Sequence, residues 1–362
     1  MMSAPSIVLT DASIQVILEG QAHSGAYVAS PNFSQYGFAW LRDGAYCALA
    51  MDSVGERESA ARFHAWVTRV VLGEREQITR VVDAHRRGEA VTPDMMLPTR
   101  YTLDGAREGI DPADEWPNFQ LDGYGTWLFV LAQHLGDSKP DDATRLAVGL
   151  AASYLAASWQ IPCYDYWEEF GDQLHTSTLA AIAAGLRSAG RMLDREDLLV
   201  ESATITTFMR RECVVDGSFV KGPDDSRVDA SLLSLATPFG VVEANDPVMR
   251  ATVQRIRSEL VSPTGGVRRY VGDTYFGGSP WMLLTAWLGW HLRSTGDDDG
   301  YRAARNWVET HASEDGWMAE QITDEPQNPA FVAPWVKRWG TVANPLLWSH
   351  AKYLLMQSGA TA

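Results

Sequence analysis

The chain has 362 residues, 46 acidic against 30 basic, and a formal net charge of −16. That balance argues against nucleic acid, whose phosphates call for clustered Lys and Arg; Arg86-Arg87 and Arg210-Arg211 are isolated pairs. It suits a neutral small ligand and also serves solubility. At 46% apolar and 21% charged, the composition is that of a globular protein with a large core. No apolar run reaches the ~18 residues of a membrane span. The segment from Met1 to Val8 lacks the basic and long apolar regions of a secretory signal, so a cytoplasmic protein is expected. Cys47, Cys163 and Cys213 are too few and too separated for a disulfide framework or a zinc ligand set, and no metal or cofactor is expected.

Helical periodicity dominates the chain. Helices are expected near 11–21 and 45–51, and residues 56–87 read as one long amphipathic segment. Ala60, Phe63, Trp66, Val67, Val70 and Val71 form its apolar stripe. Residues 94–118 form a long Pro-containing connection, either a wall or lid or a plain surface loop. Further helices are expected over 126–135, 143–158, 177–193, 195–212, 228–235, 246–260, 281–294, 300–311 and 345–356. Asp194 is a candidate N-cap with Glu196 and Asp197 in the first turn, and Asp246 another with Pro247 at the first helical position. Strand patterns are scarce; 217–220 and 266–271 read as short hairpin pieces. About twelve helices of similar length, joined by loops rich in Gly, Pro and aromatics, predict one all-α domain of paired helices in a toroid. The chemistry is then expected in the loops at one end, which a rigid scaffold supports.

Fourteen tryptophans and twelve tyrosines are many for this length, and most will fill the core. Trp40, Trp116, Trp167, Trp281 and Trp339 instead stand beside Gly, Pro and polar residues. Loop aromatics of this kind offer flat apolar faces to the C–H side of a pyranose.

Five short motifs carry donors and acceptors beside such faces. The first runs Tyr36-Gly37-Phe38-Ala39-Trp40-Leu41-Arg42-Asp43-Gly44. Its Arg-Asp pair can clamp sugar hydroxyls, the bland alternative being a helix cap at Asp43. The second, Trp116-Pro117-Asn118-Phe119-Gln120-Leu121-Asp122-Gly123, repeats the theme with Gln120 and Asp122, or is a capped helix start. The third, Tyr164-Asp165-Tyr166-Trp167-Glu168-Glu169, sets two carboxylates against an indole, where burial would keep one protonated as a general acid requires. Paired glutamates at a helix end are usually solvated, and the aromatic surroundings argue against that here. In the fourth, Arg268-Arg269-Tyr270-Val271-Gly272-Asp273-Thr274-Tyr275 before Gly278-Ser279-Pro280-Trp281, Arg269 binds substrate or forms a structural ion pair. The fifth places Glu320 in Met318-Ala319-Glu320-Gln321 ahead of Trp348-Ser349-His350-Ala351, where His350 reads as an interior histidine.

Taken in order, the five motifs resemble glycoside hydrolase family 15, the glucoamylase family, over about Tyr36 to Leu355. The resemblance implies a single-domain (α/α)6 barrel across 1–362, without the N-terminal β-sandwich of many prokaryotic members or a carbohydrate-binding module. It implies an inverting exo-glucosidase with Glu168 as general acid and Glu320 as general base. Arg42 and Asp43 would clamp the terminal glucose, with Tyr36 near the developing oxocarbenium. Trp40, Trp116, Gln120, Asp122, Trp167, Glu169, Arg269 and Trp281 would be further substrate-binding residues. The chain departs from the family pattern at Gly272-Asp273 and at Ala319. The expected substrate is a small neutral oligosaccharide, isomaltose-type α-1,6 first, then maltose-type α-1,4 links or trehalose, acted on by a monomer or homodimer with no nucleic acid or membrane partner. An inverting disaccharide phosphorylase and a non-catalytic sugar-binding protein are the rival classes. The segment 321–340 is a second candidate lid.

Overall fold

The structure, a computed structural model, describes residues 6–108 and 119–359; Trp116 and the rest of 109–118 lie outside the described residues. The helices in chain order are α1 (Ser6–Glu19), α2 (Leu41–Ser53), α3 (Arg57–Gly73), α4 (Arg75–Arg86), α5 (Asp122–Leu135), α6 (Asp142–Ser158), α7 (Thr176–Leu193), α8 (Glu196–Glu212), α9 (Pro247–Arg255), α10 (Met282–Ser294), α11 (Asp298–His311), α12 (Val332–Trp339) and α13 (Leu347–Ser358). Two antiparallel strand pairs accompany them: β1 (Ala39–Trp40) with β2 (Arg100–Tyr101), and β3 (Val214–Val215) with β4 (Ser218–Phe219).

The inner ring closes on itself. α2 packs on α5, α5 on α7, α7 on the 3-10 turn Ala230–Leu235, that turn on α10, α10 on α13, and α13 back on α2. Outside it α1 lies against α13, α3 against α2, α6 against α7, α8 against α7, and α11 against α10. This is the expected (α/α)6 barrel, its fourth inner position shortened to a 3-10 turn. The burial pattern explains the two layers. α7 and α10 are buried nearly all round, as an inner wall requires, whereas α11 buries only Ala304, Trp307 and Val308. Gly125 and Gly185 let α5 and α7 touch backbone to backbone: a Cβ on Gly125 would fall 2.4 Å from the Ala181 carbonyl oxygen.

Several local expectations change. The segment 56–87 is two helices, broken at Glu74, which follows Gly73 and turns its carboxylate to Arg107. Asp194 does not cap α8. It ends α7 in the left-handed region (φ 55), a conformation Asp tolerates, and Arg195 precedes α8 with no side-chain cap. Asp246 caps α9 as expected, accepting from Val248 N–H at 2.8 Å, but residues 256–260 widen into a π turn. The 217–220 hairpin is present as β3 and β4. Residues 266–271 make only isolated bridges, Val267 to Val261 and Trp281, and Tyr270 to Asp229. α12, within 321–340, was not expected as a helix. No helix among the described residues is long and apolar enough to cross a membrane.

The inner helices begin at one end of the barrel. The first turn of α2 carries Arg42 and Asp43, α5 starts at Asp122, and Trp281 and Trp348 stand at the starts of α10 and α13. Helix N-termini carry partial positive charge, so carboxylates gather there at reduced electrostatic cost.

Candidate active site

A cavity of about 220 Å³ opens at this end, walled by Tyr36, Trp40, Arg42, Asp43, Trp167, Glu168, Glu169, Arg269, Trp281 and Glu320 among others. Of the residues singled out in the sequence, Gln120 and Asp122 stand one layer behind this wall.

Asp43 is not a helix cap: Trp40 holds that position, and Asp43 lies buried inside the first turn with its carboxylate 3.3 Å from Arg42 Nε. Arg42 is held from behind. Its Nη1 donates to Gln120 Oε1 at 3.1 Å and Asp122 Oδ2 at 3.0 Å. Its guanidinium also lies over the rings of Trp348 and Tyr166, at 5.0 and 5.2 Å. A cation fixed by two acceptors and two π faces presents its remaining donors in one orientation. Burial pushes the Asp43 carboxyl up to about 6, against the pull of Arg42 and with Asp122 adding repulsion.

The paired glutamates do not share a helix face. They sit in a turn between α6 and α7, with Glu168 at φ 63 and Phe170 at φ 52. A left-handed residue other than Gly costs on the order of 1–2 kcal/mol, so the turn needs fixing from outside. Asp165 provides it: its Oδ1 accepts the backbone N–H groups of Trp167 and Glu169, both at 2.9 Å. The buried Lys221 ammonium bridges Asp165 Oδ2 (2.5 Å) and Asp229 Oδ2 (2.6 Å), and Asp229 accepts the Trp167 indole N–H at 2.9 Å. Burial opposes the charge on Asp165, but Lys221 and His175 outweigh it and hold the carboxyl below its ordinary range. The two glutamates then diverge. Glu168 Oε1 accepts from Trp40 Nε1 at 2.5 Å, whereas Glu169 accepts from Tyr270 OH at 2.5 Å and faces Arg269 at 3.4 Å. The indole that grips Glu168 is therefore Trp40, not its neighbour Trp167.

Glu320 enters from the segment between α11 and α12, held by its own backbone: its N–H donates to the Ala343 carbonyl and its carbonyl accepts from Met282 N–H. The side chain is 3% exposed. Its Oε1 accepts from Tyr36 OH at 2.9 Å, and Oε2 has no hydrogen-bond partner among the described residues. Burial pushes Glu320 up to about 7; the Tyr36 hydrogen bond and Arg269 pull the other way. Tyr36 also meets Tyr275 OH at 2.9 Å and packs edge-on against Trp40, ring centroids 5.5 Å apart. Glu320 and Glu168 thus hang from the two members of one aromatic pair, Tyr36 and Trp40.

Arg269 is buried and paired with Asp273 through Nε (2.7 Å) and Nη2, while lying 5.2 Å over the Trp281 ring. Trp339, one of the tryptophans set beside Gly and polar residues, does not line the cavity; Trp335 and Arg338 of α12 do, with Trp335 edge-on to Tyr275 at 4.9 Å. Trp348 and Tyr275 also line it. Both stand within the sequence motifs, but only contact with Arg42 and Tyr36 singles them out. His350 is interior, accepting from Met318 N–H and facing Ser13.

A pocket of aromatic faces, a fixed arginine and two differently held carboxylates has the chemistry to seat a sugar ring and to move protons on either side of it. The sequence matches the profile of Glycosyl hydrolases family 15 over residues 3–297. It is 41% identical over 349 residues to isomaltose glucohydrolase of Kribbella flavida, spanning 94% of this chain and 89% of that one. A glycosidase solved in complex with glucose superposes with a TM-score of 0.92 at 39% identity, over 98% of both chains. A bacterial glucoamylase complexed with acarbose, 21% identical, shares the fold at a TM-score of 0.73 over 97% of this chain and 55% of its own. The chain belongs to glycosyl hydrolases family 15 and is a glycoside hydrolase.

Proposed function

We propose that this enzyme is an inverting, exo-acting α-glucoside hydrolase that releases β-glucose from the non-reducing end of small α-glucosides, isomaltose-type α-1,6 links first. The observation that carries the reading is the pair of carboxylates held on the Trp40 and Tyr36 sides of one small cavity. Glu168, gripped by an indole N–H, is the general acid that protonates the glycosidic oxygen. Glu320, with Oε2 unengaged, is the base that takes a proton from the water attacking C1 on the opposite face. Inversion leaves room for that water when the carboxyls stand roughly 6.5–9.5 Å apart. A base titrating near neutrality is matched to work near neutral pH. Arg42 and Asp43 hold the sugar hydroxyls, with Gln120 and Asp122 acting through Arg42. Trp167, Glu169, Arg269 and Trp281 complete the glucose site.

The linkage has one support, the Kribbella flavida relative being an isomaltose glucohydrolase; the cavity of about 220 Å³, small beside the ~300–1,000 Å³ of drug-sized sites, supports a short substrate. The one-domain organisation and the action on free oligosaccharides belong to the same proposal. Glucose release from isomaltose, maltose, trehalose, kojibiose and nigerose tests it: kcat/KM highest on isomaltose is expected, and a preference for maltose or trehalose overturns the linkage. Glu168→Gln and Glu320→Gln each abolish turnover while the far-UV spectrum stays native. Near wild-type activity in either removes that residue from its role.

A further inference from the structure

The inner helices end, at the face of the barrel remote from the cavity, on a second cluster of chemistry-bearing side chains. Asp52 stands one residue from the end of α2, His134 one residue from the end of α5, and His64 reaches in from α3. His134 Nδ1 lies 2.9 and 3.0 Å from the two Asp52 carboxylate oxygens. The His64 ring packs 4.8 Å from that of His134, and one donor atom from each of the three residues lies within 4.8 Å of the others. His64 is 4% exposed, and neither ring nitrogen has a hydrogen-bond partner among the described residues. An imidazole buried without a partner is expensive, and a structure that keeps one usually has a use for it.

We infer that Asp52, His64 and His134 form a structural site for a divalent transition-metal ion of the zinc type, stapling α2, α3 and α5 at the base of the barrel. Two imidazoles and a carboxylate are a donor set for Zn²⁺ and its neighbours, whereas Mg²⁺ and Ca²⁺ call for oxygen alone. A solvent molecule fills the fourth position, which the rim can supply because the Asp52 and His134 side chains are 12% and 13% exposed. Zn–N bonds of about 2.0–2.1 Å set tetrahedral donors roughly 3.4 Å apart, so the three groups close by on the order of 1 Å on binding.

The electrostatics favour a cation. α2 and α5 both present their negative C-terminal ends here, and Asp52 adds a full charge. His64, buried with no hydrogen-bond partner on either ring nitrogen among the described residues, has one ring-nitrogen lone pair to offer a metal. Arg57 is the opposing charge, 3.8 Å from Asp52 and donating to the His134 carbonyl at 2.7 Å. Its side chain is 62% exposed and free to swing into solvent. The three donors are far apart in sequence, so no spacing announces the set.

The test uses the full chain after dialysis against a chelator. Calorimetric titration with ZnCl₂ is expected to show one ion per chain. The thermal midpoint should rise by about 3 °C with zinc at a hundredfold excess over its dissociation constant, and magnesium should leave it unchanged. His64→Leu and His134→Gln should bind no zinc and gain nothing from it. His64→Leu alone should melt no lower than the zinc-free parent, because it removes an unpartnered polar group, and should hydrolyse substrate normally. Absence of stoichiometric zinc binding in the parent, or binding that persists in both variants, overturns the site.

Discussion

Glu320→Gln is expected to abolish turnover and, at alkaline pH, to make the protein more stable. The folded chain holds the Glu320 proton up to about pH 7, whereas a free glutamate releases it near 4.5. At about 1.4 kcal/mol per pH unit, the difference corresponds to about 3 kcal/mol. The sign follows from proton uptake: between those values the folded state binds more protons than the unfolded state, so wild-type stability falls as pH rises. The loss is complete above pH 7 and absent below about 4.5. Gln cannot ionise but still accepts from Tyr36 through its carbonyl oxygen, so the variant escapes the penalty with its packing preserved. Equilibrium urea unfolding followed by tryptophan fluorescence should place Glu320→Gln about 3 kcal/mol above wild type at pH 8 and close to it at pH 4.5. An equal gain at both pH values, or none at pH 8, would refute a buried, reluctantly ionised Glu320.

The same group is expected to set the acidic side of the activity profile. kcat/KM on isomaltose should fall as pH drops below about 7, because the base must be ionised; a fall beginning only near 4.5 contradicts this. Tyr36→Phe removes a hydrogen bond that favours the carboxylate and should move that limb to higher pH. Lys221→Met leaves Asp165 and Asp229 buried without their counter-charge, a loss of about 3–5 kcal/mol in denaturant unfolding. Because Asp165 fixes the turn that carries Glu168, kcat in the folded fraction should fall more than KM rises, and an unchanged kcat would separate the triad from catalysis. Trp335→Ala removes an aromatic wall at the α12 side of the cavity and should raise KM for isomaltose about fivefold, the equivalent of about 1 kcal/mol of stacking, with the acidic limb unmoved.

The barrel was legible because its inner and outer helices differ in burial, and burial imposes the 3.6-residue pattern on the sequence. Boundaries were harder. Asp194 looks like a cap in sequence, but the adjoining α7 claims it for a left-handed end, a choice made by chain direction between two helices. Ten of the proposed site residues line one cavity because polar residues beside loop tryptophans have few other uses. Gln120 and Asp122 carried the same signature yet bond Arg42 from behind, since sequence distinguishes a polar residue from an apolar one but not the front of a wall from its back. Lys221 and Asp229 were invisible: a lysine between two carboxylates becomes meaningful only when Asp165, far away in sequence, is folded against it. Trp335 was missed because 321–340 reads as a loop, its Pro, Gly and Asn residues masking eight helical residues.

In the proposed mechanism Glu168 and Glu320 act on opposite faces of one glucosidic bond. Proton NMR of isomaltose hydrolysis, recorded before mutarotation equilibrates the product, tests it most directly. β-Glucose is expected as the first anomer to appear; α-glucose appearing first would rule out the single displacement.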